Sequence, residues 1–314
     1  MKFAVVFPGQ GSQSVNMLVE LGGQFPIVKE TFEEASSILG YDLWELVSQN
    51  PEDKLNQTEY TQPAMLAAGV AVWRVWQHES LPAPGYLAGH SLGEYTALVA
   101  SGVLSFSNAL KLVAERGRLM QEAVPAGEGA MAAILGLEDD DVQAICKQAA
   151  EGEVVEAVNF NTQEQVVIAG HSGAVSRAIE QAVAVGAKRA LLLPVSVPSH
   201  SSLMIDAAEK LHERMSMMTF HAPKIPVLHN IDATDRDEPG AIMEALKLQL
   251  HSPVLWVDTI NAMVDEGVEA VFELGPGKVL AGLCRRIDKE LQVVAVDSPA
   301  GLQKAMIMLK GETA

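Results

Sequence analysis

The stretch YLAGHSLGEYTAL, residues 86–98, limits the fold more than any other part of this 314-residue chain. A short apolar run ends at Gly89 and helical periodicity begins at Leu92, so the backbone must pass from strand to helix with almost no loop. Glycines two before and two after Ser91 permit the close backbone approaches that such a turn needs, with the serine at its apex. Strands that feed directly into helices belong to parallel sheets covered on both faces. The same four letters, AGHS, recur at residues 169–172. There the second glycine follows Ser172 immediately, and the segment reads as a strand end with Ser172 or Ser176 near a helix N-terminus.

The remaining pattern fits that frame. Residues 2–8 read as a buried first strand ending in PGQGSQ, followed by helical periodicity in FPIVKETFEEASSIL and QPAMLAAGVAVWRVWQHE. LGEYTALVASGVL and SFSNALKLVAERGRLMQEAV are further helices, the second with Ser107 as its expected N-cap. From about residue 129, GAMAAILGL, a helix opening at Asp139 to Asp141, VVEAVNFN, EQVVIAG, SGAVSRAIEQAVAVG and RALLLPVSV run strand, helix, strand, strand, helix, strand. That order is a ferredoxin-like split βαβ. KIPVLHNID, AVFELGPG and LQVVAVDS then resume buried strands between helices. The expected architecture is an α/β-hydrolase-like large domain with a parallel sheet, residues 1–125 and 197–314, carrying an inserted ferredoxin-like subdomain, residues 126–196.

With 48% hydrophobic residues the chain can bury a sizeable core. Forty acidic against 22 basic residues give a net charge of -18, which disfavours nucleic acid and anionic membranes as partners. No segment has the apolar length of a membrane span. The N-terminal apolar run is short and reads as a strand, not a signal peptide. Cys146 and Cys284 lie far apart with no partner at metal-ligand spacing, so neither a disulfide framework nor a metal site is expected, and a reducing cytoplasm fits.

Ser91 is the candidate nucleophile, and the residue that takes its proton must come from eight histidines. His90 adjoins Ser91 but points away across the turn, whereas His78, His212 and His221 sit in polar contexts and read as solvated. His200 stands apart because LLLPVSVPSHSSLM carries a buried strand through Pro198 into a loop that ends at a helix, a frequent place for site residues. Three other readings stay open on residues alone. A hydrolase would need an acidic third member, for which Asp141 is next in chain order. Gly9 and Gly11 begin a nucleotide-loop pattern whose third glycine is replaced by Ser14. A scaffold would leave Ser91 without a role.

In combination, FPGQGSQ (7–13), TQPA (61–64), GHSLGEY (89–95), AERGRLMQ (114–121), VPSHSSLM (197–204) and GPGKVL (275–280) resemble the malonyl-CoA:acyl carrier protein transacylase family over essentially the whole chain. The resemblance implies ping-pong transfer of a malonyl group from coenzyme A, through an ester on Ser91, to the phosphopantetheine thiol of acyl carrier protein, with no cofactor. It implies His200 as base and then acid, the backbone N–H groups of Gln10 and Leu92 as oxyanion donors, Arg116 as the binder of the malonyl carboxylate, and the backbone carbonyl of Gln249 as the group that orients His200. Helical periodicity agrees for the arginine: Arg116 falls within an apolar face and Arg118 on the opposite, charged one. Two positions depart from the family pattern, Asn16 where glycine is usual and Thr162-Gln163-Glu164 in place of a Ser-Pro type turn. Despite the acidic balance, Lys188 and Arg189 together with Lys278, Arg285 and Arg286 form an expected docking patch for the acidic carrier.

Overall fold

The protein is described here by a computed structural model covering residues 1–125, 127–195 and 197–311. In chain order its strands are β1 (Phe3–Phe7), β2 (Tyr86–Gly89), β3 (Gly129–Leu135), β4 (Val155–Thr162), β5 (Gln165–His171), β6 (Arg189–Leu192), β7 (Val227–Leu228), β8 (Val254–Leu255), β9 (Ala270–Leu274) and β10 (Gln292–Val296). Five of them form an all-parallel sheet in the order β10-β9-β1-β2-β7. At its centre every residue of β1 is buried, since apolar side chains on both faces are covered by helices. The C-terminal ends of β1 and β2 stand side by side, with Phe7 opposite Gly89. This brings the loop after β1 to the turn after β2, where an open α/β sheet places ligands.

The second sheet runs β6-β3-β5-β4-β8. Its first four strands pair antiparallel and are linked by the helices Asp139–Ala149 and Ser172–Ala184 in ferredoxin-like order. The alternation of a strand separates the two faces. Ala132 and Ile134 pack under the two helices, while Met131 and Ala133 face the other way with Val167 and Ala169.

Four details differ from the sequence reading. The small sheet takes a further edge strand, β8, which pairs parallel with Asn159 and Phe160 of β4 although it comes from far beyond the inserted segment. The expected ends of that segment, Ala126 and Ser196, lie outside the described residues, and β6 stops at Leu192. Ser105, not Ser107, caps the helix Phe106–Ala123, its Oγ accepting from the Asn108 N–H at 3.2 Å; both serines flank the same phenylalanine, and the helix starts two residues earlier than a cap at Ser107 requires. The helix after Ser91 ends at Ala100, because Gly102 turns the chain at φ 82°.

Candidate active site

Ser91 sits between β2 and the helix Leu92–Ala100 at φ 52° and ψ -111°, a backbone region costly for any side chain. The neighbouring glycines are required by contact. A Cβ on Gly93 would lie 2.0 Å from the Phe7 carbonyl oxygen, and one on Gly89 would lie 1.9 Å from the Gly93 carbonyl carbon. The turn is thus pressed against the end of β1, and Ser91 is lifted to the edge of a cleft of about 230 Å³ between the two sheets.

His200 reaches Ser91 from the other side. Its Nε2 lies 2.7 Å from Ser91 Oγ and its Nδ1 2.7 Å from the Gln249 backbone oxygen. A carbonyl only accepts, so the hydrogen-bond network assigns the ring proton to Nδ1 and leaves Nε2 free to take the serine proton. His200 is buried, and burial, reinforced by the nearby Arg116 charge, pushes its pKa down to about 3. The acid expected of a hydrolase is not at this histidine: Asp141 is exposed on the helix Asp139–Ala149 of the small lobe.

Leu92 opens its helix, so its N–H is among those a helix leaves without an internal acceptor. The loop after β1 lies alongside. A Cβ on Gly9 would come within 2.3 Å of the His90 oxygen and 3.7 Å of the Leu92 nitrogen, and the Gln10 N–H donates to no backbone carbonyl among the described residues. Gln10 and Leu92 both line the cleft. The same loop excludes the nucleotide-loop pattern, since it packs on the serine turn and the next helix starts only at Val19. Asn16 in this loop has φ 66°, a conformation that asparagine tolerates better than most residues and that glycine adopts freely.

Arg116 is carried by the helix Phe106–Ala123 with its side chain buried under the cleft. Nη2 donates to Gln249 Oε1 at 3.2 Å and approaches Ser91 Oγ at 3.4 Å, and the guanidinium lies 5.4 Å from the Tyr95 ring centroid. Burial lowers its pKa. Among the described residues no carboxylate lies within ion-pair distance of it, and its Nε has no hydrogen-bond partner. Arg118, two residues on, is exposed and paired with Glu115 and Glu122.

Sequence reasoning missed a buried polar layer beneath these groups. Glu94, His229 and Asn230 are enclosed there, together with the side chain of Gln249, a residue expected only for its backbone carbonyl. A carboxylate three residues after the serine, in a helix otherwise apolar toward the core, was the available signal, because such a group is rarely buried without partners. His90 was expected to point away, and its Nε2 meets Asn161 Oδ1 at 2.8 Å on the small sheet. Asn159, Asn161, Met131 and Gln165 of that sheet line the cleft and carried no sequence expectation.

The basic residues separate into two groups. Lys188, Arg189 and Arg286, together with Lys289, line a second cleft of about 520 Å³, which shares Gln165 with the first. Arg286 Nη1 donates to Gln165 Oε1 at 3.2 Å. Arg285 instead donates to the Val293 carbonyl at 2.6 Å, and Lys278 stands near Asp297, so neither lines that cleft.

A serine on a strained turn, a histidine oriented by a carbonyl, two N–H groups without an acceptor among the described residues and a buried guanidinium have the arrangement that acyl transfer requires. Residues 4–304 match the acyl transferase domain family. The chain is 53% identical to the malonyl CoA-acyl carrier protein transacylase of Salmonella typhimurium over 97% of its own length and 99% of the relative's. It superposes with a TM-score of 0.94 on the crystal structure of an acyl carrier protein S-malonyltransferase from Vibrio cholerae, at 56% identity, covering 97% of this chain and 100% of the other. It also superposes, with a TM-score of 0.96, 50% identity and 99% and 100% coverage, on a malonyl-transacylase in complex with its type II PKS acyl-carrier protein. The chain belongs to the malonyl CoA-acyl carrier protein transacylase family of acyltransferases.

Proposed function

We propose that the enzyme moves a malonyl group from coenzyme A to the phosphopantetheine thiol of an acyl carrier protein through an ester on Ser91, and that it needs no cofactor. Ser91 Oγ attacks the thioester carbonyl while His200 Nε2 takes its proton. The developing oxyanion meets the N–H groups of Leu92 and Gln10. As the carbon–sulfur bond breaks, His200 returns the proton to the departing thiolate. The carrier thiol then reverses these steps, with His200 again base and then acid. Exchange of one thioester for another is close to thermoneutral, so the protein has chiefly to lower barriers and to keep water from the ester.

The observation that carries the substrate assignment is Arg116: a buried guanidinium beside Ser91 Oγ, with an unpartnered Nε and no carboxylate within ion-pair distance among the described residues. A malonyl carboxylate supplies the missing anion, and a planar fork suits it better than an ammonium would. Its binding also offsets the positive charge that helps hold the His200 pKa down, which makes the base stronger when the correct acyl group is present. Arg116→Ala should cost malonyl transfer about 3–5 kcal/mol, or roughly 10²- to 10⁴-fold, and acetyl transfer much less. Parallel loss of both transfers in a folded variant contradicts this assignment.

For the carrier, the cleft of Lys188, Arg189, Arg286 and Lys289 supports docking of an acidic partner with its prosthetic arm led past Gln165 toward Ser91. Arg189→Glu with Arg286→Glu should slow the carrier half-reaction in a salt-dependent manner and leave acylation by malonyl-CoA nearly intact. Equal loss in both half-reactions argues against the patch. The acyl group's further fate, in fatty acid or polyketide assembly, follows from the carrier that is served.

A further inference from the structure

The backbone at Ser91 is costly, so the surrounding structure has to over-determine it. Two peptide groups flank the serine, and a side-chain amide holds each. The Ser91 N–H donates to Asn230 Oδ1 at 2.7 Å, while Asn230 Nδ2 donates to the Gly89 carbonyl at 2.7 Å, so one amide clasps both sides of the turn. The Ser91 carbonyl accepts from Gln249 Nε2 at 3.0 Å. That carbonyl shares its planar unit with the Leu92 N–H and points the opposite way. Drawing the oxygen down toward Gln249 therefore aims the N–H up into the cleft.

Both arms end on one carboxylate. Glu94 Oε2 accepts the Asn230 backbone N–H at 3.0 Å and the second Gln249 Nε2 hydrogen at 3.0 Å. Its Oε1 meets His229 Nδ1 at 2.7 Å, and Glu94 is fully enclosed. Gln249 has one group left, Oε1, and it receives Arg116 Nη2. We infer that Glu94 is a positioning residue for acyl transfer: through Asn230 and Gln249 it fixes both peptide groups of Ser91 and so aims the Leu92 N–H. Glu94 is separated from the reacting atoms by these two amides and acts only through them. The inference rests on the acyl-serine reading above.

The test measures single-turnover formation of the acyl-enzyme at a series of malonyl-CoA and acetyl-CoA concentrations. Glu94→Ala should lower the limiting rate about 10²-fold, the scale of a misplacement near 1 Å, with the half-saturating concentration held within about twofold. Both donors should lose alike, because the oxyanion is common to them. Glu94→Gln keeps an oxygen toward Asn230 and Gln249, and its NH₂ can donate to His229 Nδ1 once the ring proton shifts to Nε2, so it should fall by a smaller factor, about tenfold. In an Asn230→Ala, Gln249→Ala background, adding Glu94→Ala should cost less than about threefold more, since the arms through which it acts are gone. An unchanged rate in folded Glu94→Ala, or a full additional loss in that background, overturns the inference. If Glu94→Ala does not fold, Asn230→Asp replaces it: the change is isosteric but sets a second oxygen against the Gly89 carbonyl. A fall in limiting rate at constant half-saturation supports the inference, and a wild-type rate overturns it. Ser91→Ala run alongside keeps the two readings apart, because an adduct surviving there refutes the acyl-serine itself.

Discussion

The letters AGHS occur twice, at residues 88–91 and 169–172, and they do opposite things. In the first copy the chain turns through φ 52° at the serine. In the second, His171 is an ordinary extended N-cap at φ -65° and ψ 140°, and Ser172 opens a regular helix. The next residues begin the difference. Gly93 is pressed against Phe7, whereas a Cβ on Gly173 would meet nothing closer than the Glu153 carboxylate at 3.2 Å. Distant residues complete it, since Asn230 and Gln249 reach Ser91 from 139 and 158 positions away. The histidines diverge as well: His90 bonds to Asn161 across the cleft, while His171 Nδ1 accepts the Val154 N–H at 2.9 Å within its own lobe. A local pattern specifies where a sharp turn is possible, and tertiary partners decide whether it is taken.

The largest test of this contrast is covalent. Ser91→Ala should abolish the malonyl adduct seen by intact mass and peptide mapping, and Ser172→Ala should leave it at the wild-type level. An adduct that maps to Ser172 would erase the distinction between the two copies. His200→Ala should slow adduct formation by at least about 10²-fold, the lower range for general-base catalysis; a wild-type rate would leave the first copy with no special partner.

Stability gives a smaller contrast, of opposite sign. Gly93→Ala drives a methyl into backbone and should cost about 1–3 kcal/mol or more. Gly173→Ala, in the first turn of the helix Ser172–Ala184, should stabilise the fold by up to about 0.5–1 kcal/mol, because it removes the entropy cost of a helical glycine. Equal thermal shifts in the two variants would break the comparison.

A further contrast lies in the pH profile of stability. His200 has its folded pKa pushed down to about 3, well below its unfolded value, so the unfolded chain binds the extra proton. This contribution is intact above about pH 6.5 and is lost as pH falls below it, at no more than about 1.4 kcal/mol per pH unit. His200→Ala should therefore melt with a shallower dependence between pH 6.5 and 4.5 than the wild type. Identical slopes would show that the ring is not held neutral by burial.

The main features of the fold were legible because they rest on periodicity: buried strands, amphipathic helices and the βαββαβ order of the small lobe. Of the site, Ser91 could be read because its turn has local steric requirements, and Arg116 because helical phase separates it from Arg118. β8 could not be read, since two residues carry no period and pair only because β4 offers an edge. Glu94, His229 and Asn230 were equally hidden. Their meaning lies in hydrogen bonds across more than a hundred residues, and no spacing in the chain encodes which amide meets which carboxylate. The basic patch was legible only in part: charge and rough location are visible in sequence, but that Arg286 joins Lys188 and Arg189 while Arg285 turns to β10 depends on the phase at which one helix meets two sheets.

Val254 and Leu255 belong to the large domain by position in the chain and to the small sheet by hydrogen bonding. The inserted lobe is for that reason not a cassette. Lifted out between two cut points, it would leave its closing strand behind and bare the edge of β4, an open ladder of the kind that recruits foreign strands. A chimaera that exchanges the lobe alone would join its new β4 to another lineage's edge, directly beside Asn159 and the cleft. The segment around residue 254 has to travel with the lobe, so the unit of inheritance for this cleft is discontinuous in sequence.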